Sequence, residues 1–489
     1  MGRIASANGL PLVVGTLAVS GHNSFASQRV AVIGAGAAGL VAARELKREG
    51  HQVVVLEQTD HVGGVWAYDD EIEADQLGRG RNRKVVHSSL YRSLRTNLPR
   101  EIMGYKDFPF RTKVGKGDPR RYPGHEEVLS YLRDFSMQFG LCEMVRLETE
   151  VIRVERAQDG ISKGWKVRSR SKDGENEEVY DAVVVCNGHH TEPRLADIPG
   201  SYRLPGASSW EIMRFLLDCI LIQALILGLG RRCTATTTES LILSEIKDVA
   251  AVAKEVHVAA WDLTDETFET VPGFTNMWIH SMIERVNEDG TLTFQNQRIV
   301  AAHTIIHCTG YKFHFPFLEN TGIVRVEDNR VEPLYKHVFP LGFAPWLSFV
   351  GLPSKVTPFF MFELQSKWIA GALSGRIPLP SQEEMKEDVS EFYQTLEVAN
   401  VPRRHTHYLG HLQTQYNDWL AAQCGCSGTE SWREKIYIAS AKARQSRPNT
   451  YRDEWDDDDL IAEAYKDFDR ITSQNPSDTN TIHNLLLPM

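Results

Sequence analysis

Arg29-Val30-Ala31-Val32-Ile33-Gly34-Ala35-Gly36-Ala37-Ala38-Gly39 is the stretch that decides the fold. Val30 to Ile33 is short, wholly apolar and β-branched in three of four positions, as expected of a parallel strand buried on both faces. The glycine-rich run supplies an immediate turn, and Leu40 to Arg48 continues with helix formers until Gly50 stops them. A second apolar strand, Val53 to Leu56, ends in Glu57. Strand, glycine turn, helix, strand and terminal acid together make a dinucleotide-binding fingerprint, far more specific than an isolated GxGxxG. Gly34 permits the tight turn, Gly36 lets backbone amides approach a pyrophosphate, and Gly39 lets the helix pack against the strand. The phosphates are expected at the helix N-terminus, and the Glu57 carboxylate on the adenosine ribose.

Just beyond the acid lies Gly63-Gly64-Val65-Trp66, where two glycines let the backbone pass close to a ligand. From Val30 to Trp66 the chain resembles the FAD-binding start of the flavin-containing monooxygenases. That resemblance implies an FAD site built from Gly34, Ala35, Gly36, Ala37, Ala38, Gly39, Glu57, Gly64 and Trp66. His87 to Asn97 resembles the family's YxxLxTN segment, whose asparagine lies beside the flavin ring, so Asn97 is the catalytic candidate. An amide there can donate and accept hydrogen bonds without titrating. Spacing alone favours an asparagine capping a turn before Pro99, and only the resemblance reverses that reading.

Val183 to Gly188 and Ile305 to Tyr311 are buried strands that run into glycine, and they resemble the family's linkers out of and back into the flavin domain. The implied fold is α/β, with two Rossmann-like dinucleotide-binding domains and the NADPH domain inserted into the FAD domain. Residues 29–195 would form the first part of the FAD domain, 196–310 a partly degenerate NADPH domain, and 311–489 the second part of the FAD domain with a C-terminal tail. Phe349 to Pro353, Glu363 to Trp368 and Tyr451 to Trp455 resemble later flavin-domain segments. The acids Asp456 to Asp459 that follow read as a solvated loop or helix start, where negative charge is favourable.

The likeness to the plant-type branch, including the glucosinolate S-oxygenases, covers roughly residues 29 to 200 and 245 to 468. Between them it fails. Ser201 to Glu239 shows little correspondence to the family's FxGxxxHxxx(Y/F) fingerprint, and no histidine lies between His190 and His257. Cys219 to Leu227 reads as a strand, with Gly228-Leu229-Gly230 as a substitute turn, which makes Gly228 and Gly230 the candidate NADPH contacts. Leu241 to Lys254 reads as the following helix and Val256 to Ala259 as the next strand. Trp261-Asp262 then stands where the family commonly has an arginine for the 2′-phosphate.

Composition bounds the remaining possibilities. In 489 residues, 42% hydrophobic and 24% charged, a large core is available and wholesale disorder is excluded. Lys plus Arg at 54 against Asp plus Glu at 64 gives a net charge of −10, which argues against nucleic acid as a partner. Seven scattered cysteines read as reduced thiols in a cytoplasmic compartment, and Cys424-Gly425-Cys426 offers only two of a structural zinc's four ligands, so no metal is expected. Residues 1–28 read as a disordered extension rather than a signal peptide, since only Arg3 marks an n-region. Phe215 to Leu229 is apolar but too short for a membrane span and reads as a buried strand or helix.

The resemblance implies an FAD- and NADPH-dependent monooxygenase that S-oxygenates thioethers, such as methylthioalkyl glucosinolates, with molecular oxygen through a flavin hydroperoxide. Two alternatives remain open at this point. One is a flavoprotein whose altered 201–239 segment impairs its use of NADPH; the other is an N-oxygenating or Baeyer-Villiger relative. A disulfide reductase of the same architecture would need a cysteine pair near the flavin, which the sequence does not offer.

Overall fold

The computed structural model describes residues 26–69, 90, 92–113, 115–157, 164–194, 196–200, 207–208, 223–229, 250, 253–260, 268–271, 274–301, 304–307, 310–447 and 450–474. Residues 1–25 of the expected N-terminal extension, most of Ser201 to Glu239, Gly230, most of Leu241 to Lys254 and Trp261-Asp262 lie outside the described residues. The end of the extension is described, with the Ser27 hydroxyl donating to the Gly50 carbonyl at 2.7 Å and the Gln28 N–H to His51 Nδ1 at 3.1 Å.

Two sheets organise the chain. Strands β1 (Arg29–Ile33), β2 (Gln52–Leu56), β3 (Val145–Arg146) and β7 (Ala182–Val185) belong to the first. Between β3 and β7, β4 (Glu150–Arg156), β5 (Trp165–Ser171) and β6 (Gly174–Tyr180) form an antiparallel layer of their own. The second sheet takes β8 (Ala207–Ser208), β9 (Gln223–Leu229), β10 (Glu255–Ala260), β11 (Phe268–Thr270), β12 (Met277–His280) and β13 (Thr304–His307). Strand β14 (Leu347–Phe349) then returns to the first. The first sheet is parallel throughout, in the order β14-β7-β1-β2-β3. The second runs β11-β12-β10-β9-β13-β8 and is parallel except for the β11–β12 pair. One sheet is therefore assembled from chain on both sides of the other.

Strand parity explains why β1 is apolar at every position. Val30 and Val32 face a core layer shared with Leu46, Phe360, Leu364 and Trp368, while Ala31 and Ile33 face Trp165, Phe315 and Phe349. The first layer packs α1 (Ala37–Arg48) against α4 (Pro358–Ser374). Helices α2 (Arg100–Met103) and α3 (His125–Gln138) lie in sequence before β3; α5 (Gln382–Val398), α6 (Gln413–Cys424), α7 (Ser431–Ser446) and α8 (Asp458–Gln474) complete the C-terminal half. Helix α4 is buried at most of its 17 positions, yet among the described residues no helix is long and apolar enough to cross a membrane.

A charged knot fastens α1 to α4. Arg44, 1% exposed, bonds Glu45 and Asp107 at 2.6 Å each and reaches Glu363 at 3.5 Å. Glu363 also pairs with Lys367 and accepts the Lys106 backbone N–H at 2.6 Å. Burial works against the Arg44 charge, but Asp107, Glu45 and Glu363 outweigh it and hold its pKa above the usual range.

Three expectations need correction. Helix α1 begins at Ala37, with Gly36 as its N-cap, so Ala37, Ala38 and Gly39 belong to its first turn and the chain reverses over Gly34–Gly36 alone. Gly228 does not turn the chain: β9 runs through it to Leu229, paired with β10 on one side and β13 on the other. The glycine is absorbed by a register shift between Leu227 and Leu229, as happens when a strand interior lacks a side chain to pack. The acidic run is not uniformly solvated, since the Asp457 side chain is only 10% exposed and bonds Arg121.

Candidate active site

The first βα turn is held by contacts between backbones. Gly34 sits at φ 100°, and a Cβ there would lie 2.7 Å from the Cys186 carbonyl oxygen. A Cβ on Gly39 would meet the Gly34 carbonyl oxygen at 1.8 Å, which ties the helix directly to the turn. The Gly63–Gly64 loop folds over the same turn: the Gly63 N–H donates to the Ala35 carbonyl at 3.0 Å, and a Cβ on Gly64 would come within 2.9 Å of the Gly36 Cα. Trp66 ends the single 3-10 turn Gly64–Trp66 that follows.

Glu57, 5% exposed, closes the arrangement from β2. One carboxylate oxygen accepts the Ala35 N–H at 2.7 Å, and the other accepts the N–H and hydroxyl of Thr59, each at 2.9 Å. Those bonds leave lone pairs for a ribose hydroxyl. The helix N-terminus has no capping side chain and no acid in its first turn, while Lys47 and Arg48 occupy its last. Unsatisfied first-turn N–H groups and the positive end of the helix dipole thus face a turn with no Cβ in the way. The residues present fit the pyrophosphate and ribose of a dinucleotide. Gly34, Ala35, Gly36, Ala37, Ala38, Gly39, Glu57, Gly64 and Trp66 are brought together as a group.

The residues that follow Asn97 pack on the first turns of α1. Leu98 shares an apolar cluster with Ala37 and Leu40, and Trp66 packs against that cluster. The Tyr105 hydroxyl donates to the Ala37 carbonyl at 2.7 Å, fastening the segment after Asn97 to the first turn of α1. Gly228 lies in the second sheet, away from this group.

The residues that hold the Asn97 loop escaped sequence reasoning. Arg444 of α7, 1% exposed, donates to the Asn97 carbonyl at 3.3 Å, and Arg452 donates to the Thr96 carbonyl at 3.1 Å. Arg95 in turn bonds the Arg452 carbonyl and the Asp453 carboxylate. Among the described residues two Arg444 nitrogens have no hydrogen-bond partner, and burial draws its pKa down, opposed by Tyr451, Tyr437 and Tyr122. Arg121 braces the next turn, gripping Asp457 through two bonds of 2.5 and 2.8 Å and Glu101 at 3.2 Å. The likeness of Tyr451 to Trp455 to a family segment was a signal that this stretch mattered, but it carried no role.

The family model described as flavin-binding monooxygenase-like matches residues 27–211 and 263–427. The Arabidopsis thaliana protein named flavin-containing monooxygenase FMO GS-OX-like 3 is 53% identical over 450 residues, covering 90% of this chain and 97% of its own length. The Arabidopsis thaliana FMO GS-OX4 is 50% identical over 453 residues, covering 92% and 96%. Among solved structures, the S-allyl-L-cysteine S-oxygenase of Allium sativum superposes with a TM-score of 0.82 at 49% identity, covering 91% of this chain and 100% of that one.

Proposed function

This chain belongs to the flavin-binding monooxygenase-like family, and from that premise we propose that it S-oxygenates a small thioether using FAD, NADPH and molecular oxygen. The observation that carries the reading is the double glycine cradle, in which Glu57 and the Gly63–Gly64 loop brace the N-terminus of α1. The amides of Ala37, Ala38 and Gly39 would hold the FAD pyrophosphate, and Glu57 its ribose. Reduced by NADPH, bound FAD supplies the activated oxygen. Asn97 would stand beside the ring, where its amide donates a hydrogen bond without changing charge. Trp66 and the apolar cluster behind it would keep water from the reacting oxygen, which water would otherwise discharge as hydrogen peroxide. Methylthioalkyl glucosinolates and S-allyl-L-cysteine are the thioethers to assay first, the second because it names the activity of the Allium sativum relative. The free thiols at Cys142, Cys186, Cys424 and Cys426 agree with a cytoplasmic location.

A specific observation favours a second reading, in which the protein binds FAD but NADPH reduces it poorly. The family match omits residues 212–262, a span that includes most of the divergent Ser201 to Glu239 segment. Rapid mixing of the purified yellow protein with NADPH in the absence of oxygen distinguishes the two. We expect bleaching of the flavin, followed in air by sulfoxide formation detected by mass spectrometry. Flavin that stays oxidised supports the second reading, and a bleached flavin that oxygenates only amines or ketones overturns the proposed thioether chemistry.

A further inference from the structure

We propose that Cys424 and Cys426 form a dithiol that hydrogen peroxide converts to an intramolecular disulfide. Cys424 is the last residue of α6, and Gly425 follows in the left-handed conformation at φ 67°, ψ 30°. The Cys426 N–H turns back to the Ala421 carbonyl at 3.0 Å. A single intervening residue in this conformation sets the two Cα atoms about 5.5 Å apart, inside the range a disulfide spans. Both residues are partly exposed and rest on the apolar layer around α4, where the Cys424 thiol contacts the Leu364 carbonyl at 3.7 Å.

The surroundings favour a thiolate at Cys426. The neighbouring Cys424 thiol draws its pKa down against the effect of burial, and Lys367 and Lys106 add to the pull. The other described cysteines differ. Cys186 is buried and its thiol is pushed up by burial; Cys142 is exposed but contacts Ser136 rather than a second thiol. Two sulfurs fall short of the four ligands of a structural zinc, so oxidation suits this pair better than metal binding.

The chemistry balances. The Cys426 thiolate attacks one peroxide oxygen, the O–O bond breaks, and the departing hydroxide takes a proton to become water. The sulfenic acid left on Cys426 is then attacked by the Cys424 sulfur: the S–S bond forms, the S–O bond breaks, and the oxygen leaves as water with the Cys424 proton. Two thiols lose two electrons, and one peroxide gains them. The proposed monooxygenase reaction releases peroxide whenever its oxygen misses the substrate, but the reactivity of the pair does not depend on that source.

The test treats purified holoenzyme with hydrogen peroxide, alkylates the remaining thiols and maps peptides by mass. The peptide carrying Cys424 and Cys426 should lose two hydrogens, return to the dithiol with dithiothreitol, and react about tenfold faster than Cys142. Cys424→Ser should stop at a sulfenic acid on Cys426, trapped by dimedone. Oxidation of Cys142 at an equal or greater rate, or no two-hydrogen loss in the wild-type peptide, would overturn the proposal. The wild-type measurement decides even where the variant fails to fold.

Discussion

At the scale of single residues, several positions near the candidate flavin site serve two purposes. Gly36, in the proposed pyrophosphate cradle, also lies against Gly64, so Gly36→Val should block the ligand and displace the second loop. Purified Gly36→Val is expected to be nearly colourless, with flavin per protein reduced at least about tenfold, corresponding to about 1.4 kcal/mol. Glu57→Gln should weaken flavin binding more mildly, by about 1–2 kcal/mol, because one accepting oxygen becomes an NH2 group that can take neither the Ala35 N–H nor the Thr59 N–H. Stoichiometric flavin in Gly36→Val would remove the assignment. The glycine roles were legible because an absent Cβ is written directly in the sequence. The anchoring of Ala35 by Glu57 was not, because it depends on β2 ending beside the turn. For Asn97, Asn97→Ala should keep its flavin while a larger share of the oxygen consumed appears as hydrogen peroxide instead of sulfoxide. Arg444→Met should produce the same shift more weakly, since it frees the Asn97 carbonyl without altering the amide. An unchanged ratio of product to peroxide in both variants would reduce this loop to a structural turn.

At the scale of elements, α8 shows where reading charge from sequence fails. Asp456 to Asp459 look alike in the sequence, and a helix N-terminus explains them all. In the fold only Asp457 is turned inward, where Arg121 reaches it from a segment more than 300 residues earlier. Asp457→Asn should therefore cost about 1–3 kcal/mol, the rest of the bridge surviving through Glu101. Asp458→Asn and Asp459→Asn, both exposed, should each cost under about 1 kcal/mol. Thermal denaturation of the three variants checks this, and equal losses in all three would contradict the distinction. Strands β1, β2, β7 and β10 were legible within a residue or two because continuous apolar runs leave few other choices. Strand β9 was legible as an element but not in extent: a glycine punctuates a sequence, whereas the ladder with β10 carries past it, to Leu229 opposite Ala260.

At the scale of the whole molecule, acid sensitivity follows from a buried imidazole pair far from the glycine turn in sequence. His407 accepts the Val331 N–H at Nε2, which leaves its Nδ1 proton to face His337 Nδ1 at 3.1 Å. Burial, reinforced by Lys336, lowers the His337 pKa to about 4, and burial and His337 lower that of His407 well below normal. Such a pair binds fewer protons folded than unfolded. Its stabilising contribution is complete above about pH 6.5 and is lost as pH falls from there toward about 4, at up to about 1.4 kcal/mol per pH unit for each imidazole. Melting temperature should drop between pH 7 and pH 5, and His337→Gln, which keeps a neutral acceptor for His407, should flatten that slope. A slope unchanged by the substitution would shift the acid sensitivity to other groups. The architecture also has a consequence for synthesis. Strand β1 and helix α1 leave the ribosome first, but the α4 surface that covers them emerges roughly 300 residues later, which at about 5–20 residues per second is on the order of a quarter of a minute to a minute. The second sheet is complete by His307 and can close in that interval. The nascent first βα unit meanwhile keeps its apolar faces exposed, so a translational pause between residues 307 and 358 would prolong the period in which chaperones, or other nascent chains, compete for them.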